Sequence, residues 1–267
     1  KANHLLFFFD SATVVMNQKQ LDLQLNNKNS ASGRIYRRIM NNREMAGDQN
    51  AFLNSKATRY KTKSHIFKAS EIKKAAYDEI MTLGPITQDL LIKTIQSQRD
   101  SIRLWVLKCL VNYKTEKVAQ AFTNVIIEDK SSKREFSILC KKLVASNLIN
   151  YIQYDVGKKL FKEALLDKKV NIRGAVLNSI SVTEQNKEFV TEALKELYDH
   201  ELNLLTDYVK LYRTLSMKEV VAKKPMLITP FISCLDTIFN HAPSLMKELI
   251  LSDELLFEPS LKYVFVK

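Results

Sequence analysis

Three stretches of the sequence repeat one pattern and decide the fold: residues 100–110 (DSIRLWVLKCL), 129–143 (DKSSKREFSILCKKL) and 167–180 (DKKVNIRGAVLNSI). In each stretch an Asp precedes a short polar turn, and an Arg lies in the first turn of the apolar-periodic segment that follows. The Asp residues are separated by 29 and 38 positions. Periods of this length are typical of stacked helical hairpins.

Apolar residues between positions 86 and 216 recur every three to four positions, which is the spacing of helices with one apolar face. Only a few polar residues separate consecutive segments, and this favours antiparallel neighbours. A fourth, weaker unit covers residues 188–216 and is also expected to be a hairpin. Because a single hairpin cannot bury its apolar face alone, the sequence predicts a row of stacked hairpins.

The recurring Asp and Arg residues have a structural explanation. An Asp before a helix can accept hydrogen bonds from the free N–H groups of the first turn and suits the positive end of the helix dipole. An Arg one turn later can pair with an Asp of the same or the neighbouring turn. We therefore predict a structural ladder formed by Asp100, Arg103, Asp129, Arg134, Asp167 and Arg173.

The pattern Asp-turn-(Val/Ile)-Arg-x-x-(Ala/Val)-x-x-x-Leu resembles HEAT-type repeats. The first and third stretches match best, and the second matches loosely because Lys133 replaces an apolar residue. The resemblance covers residues 86–216 and implies an all-α fold, a right-handed α-solenoid of stacked antiparallel hairpins with irregular N- and C-terminal caps. Families with this fold are mostly scaffolds and binding proteins, and a few bind nucleic acid, so the fold does not fix an activity.

A pentatricopeptide-type repeat, a class of RNA-binding helical hairpins, is the rival interpretation. The HEAT-like interpretation is preferred because the Asp and Arg of the turn recur, and because no regular Pro or Gly closes each unit.

The sequence divides into three expected segments. Residues 1–69 are predicted to form a helix near 2–18 followed by a basic, loop-rich segment, residues 70–216 the repeats, and residues 217–267 the C-terminal capping helices. Ser70 is expected to cap the next helix without a capping box, because Lys73 occupies the position where Glu would complete one. The motif Lys223-Lys224-Pro225 is expected to be a break, with Pro230 in the first turn of a new helix.

Basic residues exceed acidic ones, 41 to 29, and the formal net charge is +12. This balance favours an anionic partner, although a compositional bias towards Lys would produce it as well. A basic, loop-rich segment covers residues 34–68 and is either a nucleic-acid contact or a solvated linker. The candidate contacts to an anionic partner are Arg34, Arg37, Arg38, Arg43, Lys56, Arg59, Lys61, Lys63, Lys68, Lys108, Lys141 and Lys142. Of these, Lys141 and Lys142 are expected to be freer than the Arg residues of the ladder.

The sequence contains no recognisable catalytic constellation. The four His residues are well separated, and the chain lacks HExxH, Walker A, GxGxxG and GxSxG motifs. We therefore expect no catalytic residue, cofactor, metal or small-molecule substrate. Trp105 is the only Trp and is expected to pack in the core. Some HEAT-like DNA glycosylases place a Trp on a concave face, but the rest of their constellation is missing here.

Compartment and partner are the last expectations from the sequence. Three Cys residues in apolar contexts indicate buried free thiols in a reducing, intracellular compartment, the cytoplasm first, with the nucleus or an organelle as alternatives. No apolar run is long enough for a transmembrane helix. The chain begins at Lys1 rather than Met, so a fragment or a processed product is expected. The leading hypothesis is a non-enzymatic scaffold that binds a protein through its concave face, and the alternative is nucleic-acid binding.

Overall fold

A computed structural model describes residues 2–27, 29–45, 64–95, 100–127, 135–212 and 217–252. These residues are predominantly helical, which confirms the all-α class, and they add one small two-stranded sheet. The helices, numbered in chain order, are α1 (Ala2–Leu6), α2 (Gln18–Asn26), α3 (Ala31–Met45), α4 (Ala69–Thr82), α5 (Gln88–Thr94), α6 (Asp100–Leu110), α7 (Glu116–Ile126), α8 (Glu135–Ala145), α9 (Asp155–Leu165), α10 (Val170–Leu177), α11 (Lys187–Tyr212), α12 (Met217–His241) and α13 (Pro243–Ser252).

Two strands and three short 3₁₀ helices complete the secondary structure of the described residues. The strands are β1 (Val14–Asn17) and β2 (Ser64–Phe67), and the 3₁₀ helices cover Phe7–Asp10, Gly84–Thr87 and Leu148–Tyr151. The chain forms two compact units, which are Lys1–Ala121 with Arg134–Cys140, and Phe122–Lys133 with Lys141–Lys267. The three-segment division expected from the sequence stays a prediction. Among the described residues, no helix has both the length and the apolar content needed to cross a bilayer.

In the first unit, the prediction of a helix near residues 2–18 is wrong. Helix α1 ends at Leu6, and Val14–Asn17 is strand β1, which pairs antiparallel with β2 so that Val14 lies opposite Phe67. The β-branched pair Val14 and Val15 favours extended backbone over helix. The sheet therefore joins the beginning of the chain to residues just before α4.

The prediction of a loop after that helix is also wrong, because residues 18–26 form α2. The helix begins with a reciprocal capping box: Asn17 Oδ1 accepts a hydrogen bond from the Gln20 backbone N–H at 2.9 Å, and Gln20 Oε1 accepts one from the Asn17 N–H at 3.0 Å. The spacing Asn-x-x-Gln at positions 17–20 is therefore the sequence signal that marks this helix.

Residues 31–45 form helix α3 rather than part of a loop-rich segment. Ile35, Tyr36 and Ile39 make its buried face, and α3 packs against both α2 and α4. A Cβ on Gly33 would lie 2.2 Å from the Asn27 carbonyl oxygen, so only glycine allows the α2–α3 turn to close against the helix.

Helix α4 begins two residues earlier than expected, with Lys68 instead of Ser70 as its N-cap residue. The Glu71 carboxylate accepts a hydrogen bond from the Lys68 backbone N–H at 2.8 Å, which is the Glu half of a capping box. The prediction of a Ser70 cap without a capping-box residue is therefore wrong, because Glu71 lies three positions after the actual N-cap residue.

The second unit contains the packed helix pairs α9–α10, α11–α12 and α12–α13, and α10 also contacts α12. A Cβ on Gly157 would lie 1.9 Å from the Tyr151 carbonyl oxygen, so the 3₁₀ helix Leu148–Tyr151 lies directly against α9. Three aromatic pairs pack within this unit: Phe122 with Tyr151, Phe161 with Phe189, and Tyr198 with Phe231.

Two expected interruptions in this unit are absent. The hairpin expected within residues 188–216 is one continuous helix, α11, because its sequence from 187 to 212 contains neither Gly nor Pro. Helix α12 runs through both Pro225 and Pro230, where a break and a new helix start were the expectations. The antiparallel partner of α11 is therefore α12.

Candidate binding groove

The second unit carries a groove of 710 Å³, within the range typical of ligand pockets in proteins. It lies between α9, the α9–α10 turn, α11 and the C-terminal half of α8. Its lining residues are Lys141, Lys159, Lys162, Glu163, Leu166, Asp167, Lys168, Lys169 and Glu196. We call this site the lysine groove.

The floor of the lysine groove is a buried ion pair between α8 and the α9–α10 turn. Lys141 is only 3% exposed, and its Nζ donates a hydrogen bond to the Asp167 carboxylate. The other carboxylate oxygen of Asp167 accepts a hydrogen bond from the Lys169 backbone N–H at 2.8 Å. The expectation that Lys141 is comparatively free is therefore wrong, because its ammonium group is buried and held by a carboxylate.

A second buried pair continues from this floor towards α11. Arg173 Nη1 donates a hydrogen bond to the Asp167 carbonyl oxygen at 2.8 Å, and Arg173 Nε lies 3.2 Å from Glu201 Oε1. The Nε–Oε1 contact lacks hydrogen-bond geometry and acts as an ion pair. Burial raises the pKa of Glu201, while the charges of Arg173 and His200 act against that rise. Charged groups thus connect α8, the α9–α10 turn, α10 and α11.

These contacts change the interpretation of the Asp/Arg ladder. Arg173 does bind Asp167, but through the backbone carbonyl, because the Asp167 carboxylate belongs to Lys141. Arg103 lies half-buried on α6, and Asp100 is the first residue of that helix. Asp129 and Arg134 lie outside the described residues, so the middle rung of the ladder stays a prediction.

One wall of the lysine groove is a clamp between α9 and α11. Lys162 Nζ lies 2.7 Å from a Glu192 carboxylate oxygen and 3.0 Å from one of Glu196. Hydrogen bonds to Glu192 and then Glu196 raise the pKa of Lys162, and the bond from Lys162 lowers the pKa of Glu192. This wall is therefore close to neutral or acidic, although a lysine lies in it.

Three further lysines line the lysine groove. Lys159 and Lys168 are exposed, and Lys169 is half-buried at the N-cap of α10. Five lysines and three carboxylates line the whole groove, so its formal charge is +2. An anionic group entering from solvent is attracted to these three lysines.

Of the lysine-groove residues, only Lys141 and Asp167 are among the residues predicted from the sequence. The missed signal is the lysine density of residues 158–169, where five of twelve positions are Lys. Positions 159, 162 and 163 recur at helical spacing and therefore share one face of α9, and Leu166 follows as its C-cap residue. The contribution of Glu196 has no local signal, because it depends on how α11 packs.

In the first unit, the four arginines of α3 bind acceptors within the protein. Arg38 Nε donates a hydrogen bond to Glu79 at 2.9 Å, and Arg34 Nε lies 3.7 Å from the same carboxylate. Arg37 donates to the Leu25 carbonyl oxygen. These contacts attach α3 to α4 and α2, which gives the arginines a structural role that does not require a partner.

Arg43 makes the most extensive of these contacts. Its guanidinium group donates to both Glu71 carboxylate oxygens, at 3.0 and 2.8 Å, and to the Ile66 carbonyl oxygen at 2.6 Å. It also lies 5.0 Å from the centre of the Phe67 ring. Burial raises the pKa of Glu71, but the hydrogen bonds from Arg43 and the Lys68 backbone outweigh it, so the pKa is lowered overall.

The remaining predicted contacts have different surroundings. Lys108 Nζ lies 4.1 Å above the Trp105 ring, which also stacks on Phe9 with ring centres 5.6 Å apart. Trp105 thus packs against protein groups in the first unit. Lys68 and Lys142 are exposed. The predicted contacts that lie outside the described residues are Lys56, Arg59, Lys61 and Lys63.

A second groove, of 490 Å³, lies between α10 and α12 and is mostly polar. It is lined by Gly174, Leu177, Asn178, Ser233, Asp236, Thr237, Asn240 and His241. Within the described ranges, no group of three or more His, Cys, Asp or Glu side chains is placed to hold a metal ion. Comparisons of the chain with protein-family models, curated proteins and solved structures give no match.

Proposed function

We propose that this chain is a non-enzymatic helical binding protein, and that it holds a segment of another protein in the lysine groove. The proposal includes a HEAT-like arrangement, a right-handed α-solenoid of stacked hairpins that acts as a scaffold. The observation that carries it is the lysine groove itself, a concave site with a net positive lining and a fixed floor. The Asp/Arg pattern of the sequence supports the repeat arrangement.

The fixed floor supports a binding role. Lys141 and Asp167 hold each other, and Arg173 holds the backbone of the same turn. The α9–α10 turn therefore keeps its position without a ligand, and the neighbouring Lys168 and Lys169 are presented on a rigid support. A pre-organised site loses less conformational entropy on binding.

The mixed charge of the lysine groove favours a protein over a nucleic acid. Glu163, Asp167 and Glu196 lie among its lysines. Sites that follow a nucleic-acid backbone are positive along their length, since affinity comes from neutralising successive phosphates. Carboxylates inside such a site would oppose binding, whereas a protein segment can bring charges of both signs.

The test is affinity capture from cell extract with the whole chain as bait. The double variant Lys159→Glu/Lys168→Glu reverses two exposed charges of the groove, and Lys158→Glu is the matched control because Lys158 is exposed on α9 outside the groove. We expect the control to retain the wild-type set of nuclease-resistant partners and the double variant to lose it. Identical sets from the wild type and the double variant would refute the proposal.

Nucleic-acid binding remains the second candidate because the net charge is +12. Its test is an electrophoretic shift with single-stranded RNA and DNA at increasing salt. Binding that neutralises Z phosphates of a single strand should weaken with a slope of roughly −0.7Z in log K against log salt. Absence of any shift at low salt would remove this candidate.

The compartment is part of the same proposal. Cys109, Cys140 and Cys234 are buried thiols, and burial raises the pKa of Cys109 and Cys234 to about 12. Such thiols remain protonated and unreactive. Free thiols fit a reducing, intracellular environment.

A further inference from the structure

We infer that the second groove, between α10 and α12, binds a saccharide, a neutral ligand with hydroxyl groups on neighbouring carbon atoms. We call this second groove the polar groove. Its volume of 490 Å³ lies within the range typical of ligand pockets. The polar groove shares no lining residue with the lysine groove, so this ligand is independent of the protein partner proposed above.

One face of α12 is polar where it lines the groove. Ser233, Asp236, Thr237, Asn240 and His241 follow one another at helical spacing, so they lie on the same side of the helix. Thr237 Oγ1 donates a hydrogen bond to the Ser233 carbonyl oxygen at 2.8 Å. The other four side chains make no hydrogen bond to any residue that the structure describes. Their polar atoms are therefore open to a ligand.

Gly174 is a second, independent indication of a ligand. It lies within α10 in ordinary helical backbone, since Gly84 is the only glycine of the described residues with a positive φ. Apart from its own helix backbone, no described atom lies within 4 Å of the position that a Cβ would take. Glycine inside a helix is destabilising, and here neither backbone conformation nor internal packing requires it. Because Gly174 lines the polar groove, its missing side chain leaves space for a ligand beside α10.

The charge of the polar groove favours a neutral ligand. Its described lining contains no Lys or Arg to neutralise a phosphate or carboxylate group. Asp236 is its only carboxylate in a chain of net charge +12, so a cation gains little there. No aromatic ring belongs to the described lining, so a nucleobase would lack a stacking partner. A neutral ligand that both donates and accepts hydrogen bonds fits these groups.

The carboxylate of Asp236 favours a saccharide over a peptide backbone. An ionised carboxylate only accepts hydrogen bonds, and it does so through two oxygens. Two neighbouring hydroxyl groups of a sugar ring can donate to both oxygens at once. Successive N–H groups of an extended peptide point to opposite sides, so those on one side are about 7 Å apart and only one reaches the carboxylate. The amides of Asn178 and Asn240 each offer a donor and an acceptor, which matches hydroxyl groups that do both.

The experiment is a titration of the whole ¹⁵N-labelled chain followed by two-dimensional NMR. The saccharide probes are methyl α-D-glucopyranoside, methyl α-D-mannopyranoside and methyl β-D-galactopyranoside, and the peptide probe is the neutral N-acetylglycylglycine methylamide. The side-chain amide signals of Asn178 and Asn240 report on the polar groove directly, because both residues line it.

Two variants with matched controls locate the binding site. Asp236→Asn removes the carboxylate, and Asp155→Asn is its control because Asp155 is a fully exposed carboxylate of α9 outside the groove. Gly174→Leu fills the space beside α10, and Asn171→Leu is its control because Asn171 is exposed on the same helix outside the groove. Thermal unfolding of each variant verifies the fold.

We expect at least one glycoside to shift the two side-chain amide signals with a Kd of about 1–10 mM, and the peptide to bind more weakly. Asp236→Asn should weaken binding of that glycoside about tenfold, Gly174→Leu should abolish it, and both controls should keep the wild-type Kd within about twofold. No shift with any of the glycosides at about 50 mM would overturn the inference. Equal or tighter binding of the peptide, or an unchanged Kd in either groove variant, would overturn it as well. None of these results bears on protein capture by the lysine groove, which has its own test.

Discussion

The buried pair on the floor of the lysine groove allows a sharp test of the structure. Replacing Lys141 with Met keeps a side chain of similar length but leaves the Asp167 carboxylate buried without its cation. The residue Lys141 is 3% exposed, and the Asp167 side chain is 10% exposed. Removing one partner of a buried pair costs about 3–5 kcal/mol, because the remaining charge is uncompensated.

The lower end of that range applies here. Asp167 keeps the hydrogen bond from the Lys169 backbone N–H at 2.8 Å, which supports part of its charge. We therefore expect Lys141→Met to lower the free energy of unfolding by about 3 kcal/mol. For a chain of this size, that loss corresponds to a fall in Tm of roughly 6–12 °C.

The assay is thermal and urea unfolding followed by far-UV circular dichroism. Lys142→Met is the control, because Lys142 is the exposed neighbour on the same helix and its replacement should change stability by less than about 0.5 kcal/mol. The double variant Lys141→Met/Asp167→Asn should recover most of the loss, since it leaves no unpaired carboxylate at position 167. Equal stability of the two single variants would refute the burial and pairing of Lys141. A double variant as unstable as Lys141→Met would show that the lost lysine contacts, and not the isolated carboxylate, cause the loss.

Three further outcomes follow from the geometry. Because the pKa of Glu71 is lowered in the folded state, Glu71 stabilises the protein above its unfolded pKa of about 4.5, and this contribution is lost as the pH falls through the folded pKa. Glu71→Gln should therefore reduce the loss of unfolding free energy between neutral and acidic pH, measured by urea unfolding. An unchanged pH dependence would contradict the pairing of Glu71 with Arg43. Gly157→Ala should be strongly destabilising, because the new Cβ would lie 1.9 Å from the Tyr151 carbonyl oxygen. Gly174→Ala should instead stabilise the protein by about 0.4–1 kcal/mol, because no atom lies within 4 Å of its Cβ position. Similar urea-unfolding midpoints for the two variants would contradict this difference. Phe9→Ala removes a ring that is 0% exposed and should lower the free energy of unfolding by about 3–5 kcal/mol. Because the Phe9 ring stacks on Trp105, the variant should also shift the tryptophan fluorescence emission, and an unaltered emission would contradict the stacking.

The all-α class was predictable from the sequence because the apolar periodicity of a helix is visible within a short stretch of residues. The apolar stripe of α9, with Leu160, Phe161, Ala164 and Leu165, repeats at helical spacing, and these residues are buried in the structure. The ends of the helices were harder to predict than their existence. Capping by Asn17 and Gln20 is visible in the sequence once sought, whereas α12 continues through two prolines that favour termination.

The charged residues show why a site is harder to predict than a helix. Sequence identifies Lys141 and Arg43 as cations but does not reveal which carboxylate each one meets. Arg43 meets Glu71, 28 positions away, and Lys141 meets Asp167, 26 positions away. These pairings depend on tertiary packing. For the same reason, the many lysines of α9 indicate a basic surface, but they do not reveal that carboxylates of α11 lie beside it and reduce its net positive charge.

The two-stranded sheet has a consequence for the order of folding events. Strands β1 and β2 come together only when the 46 residues from 18 to 63 close into a loop, whereas α2 with α3 and α5 with α6 are neighbours in sequence. Contacts between distant residues form more slowly than local ones, because the chain entropy of closure is lost before the contact is gained. The amide protons of Val14–Asn17 should therefore be among the last in the first unit to gain protection in pulse-labelled hydrogen exchange during refolding.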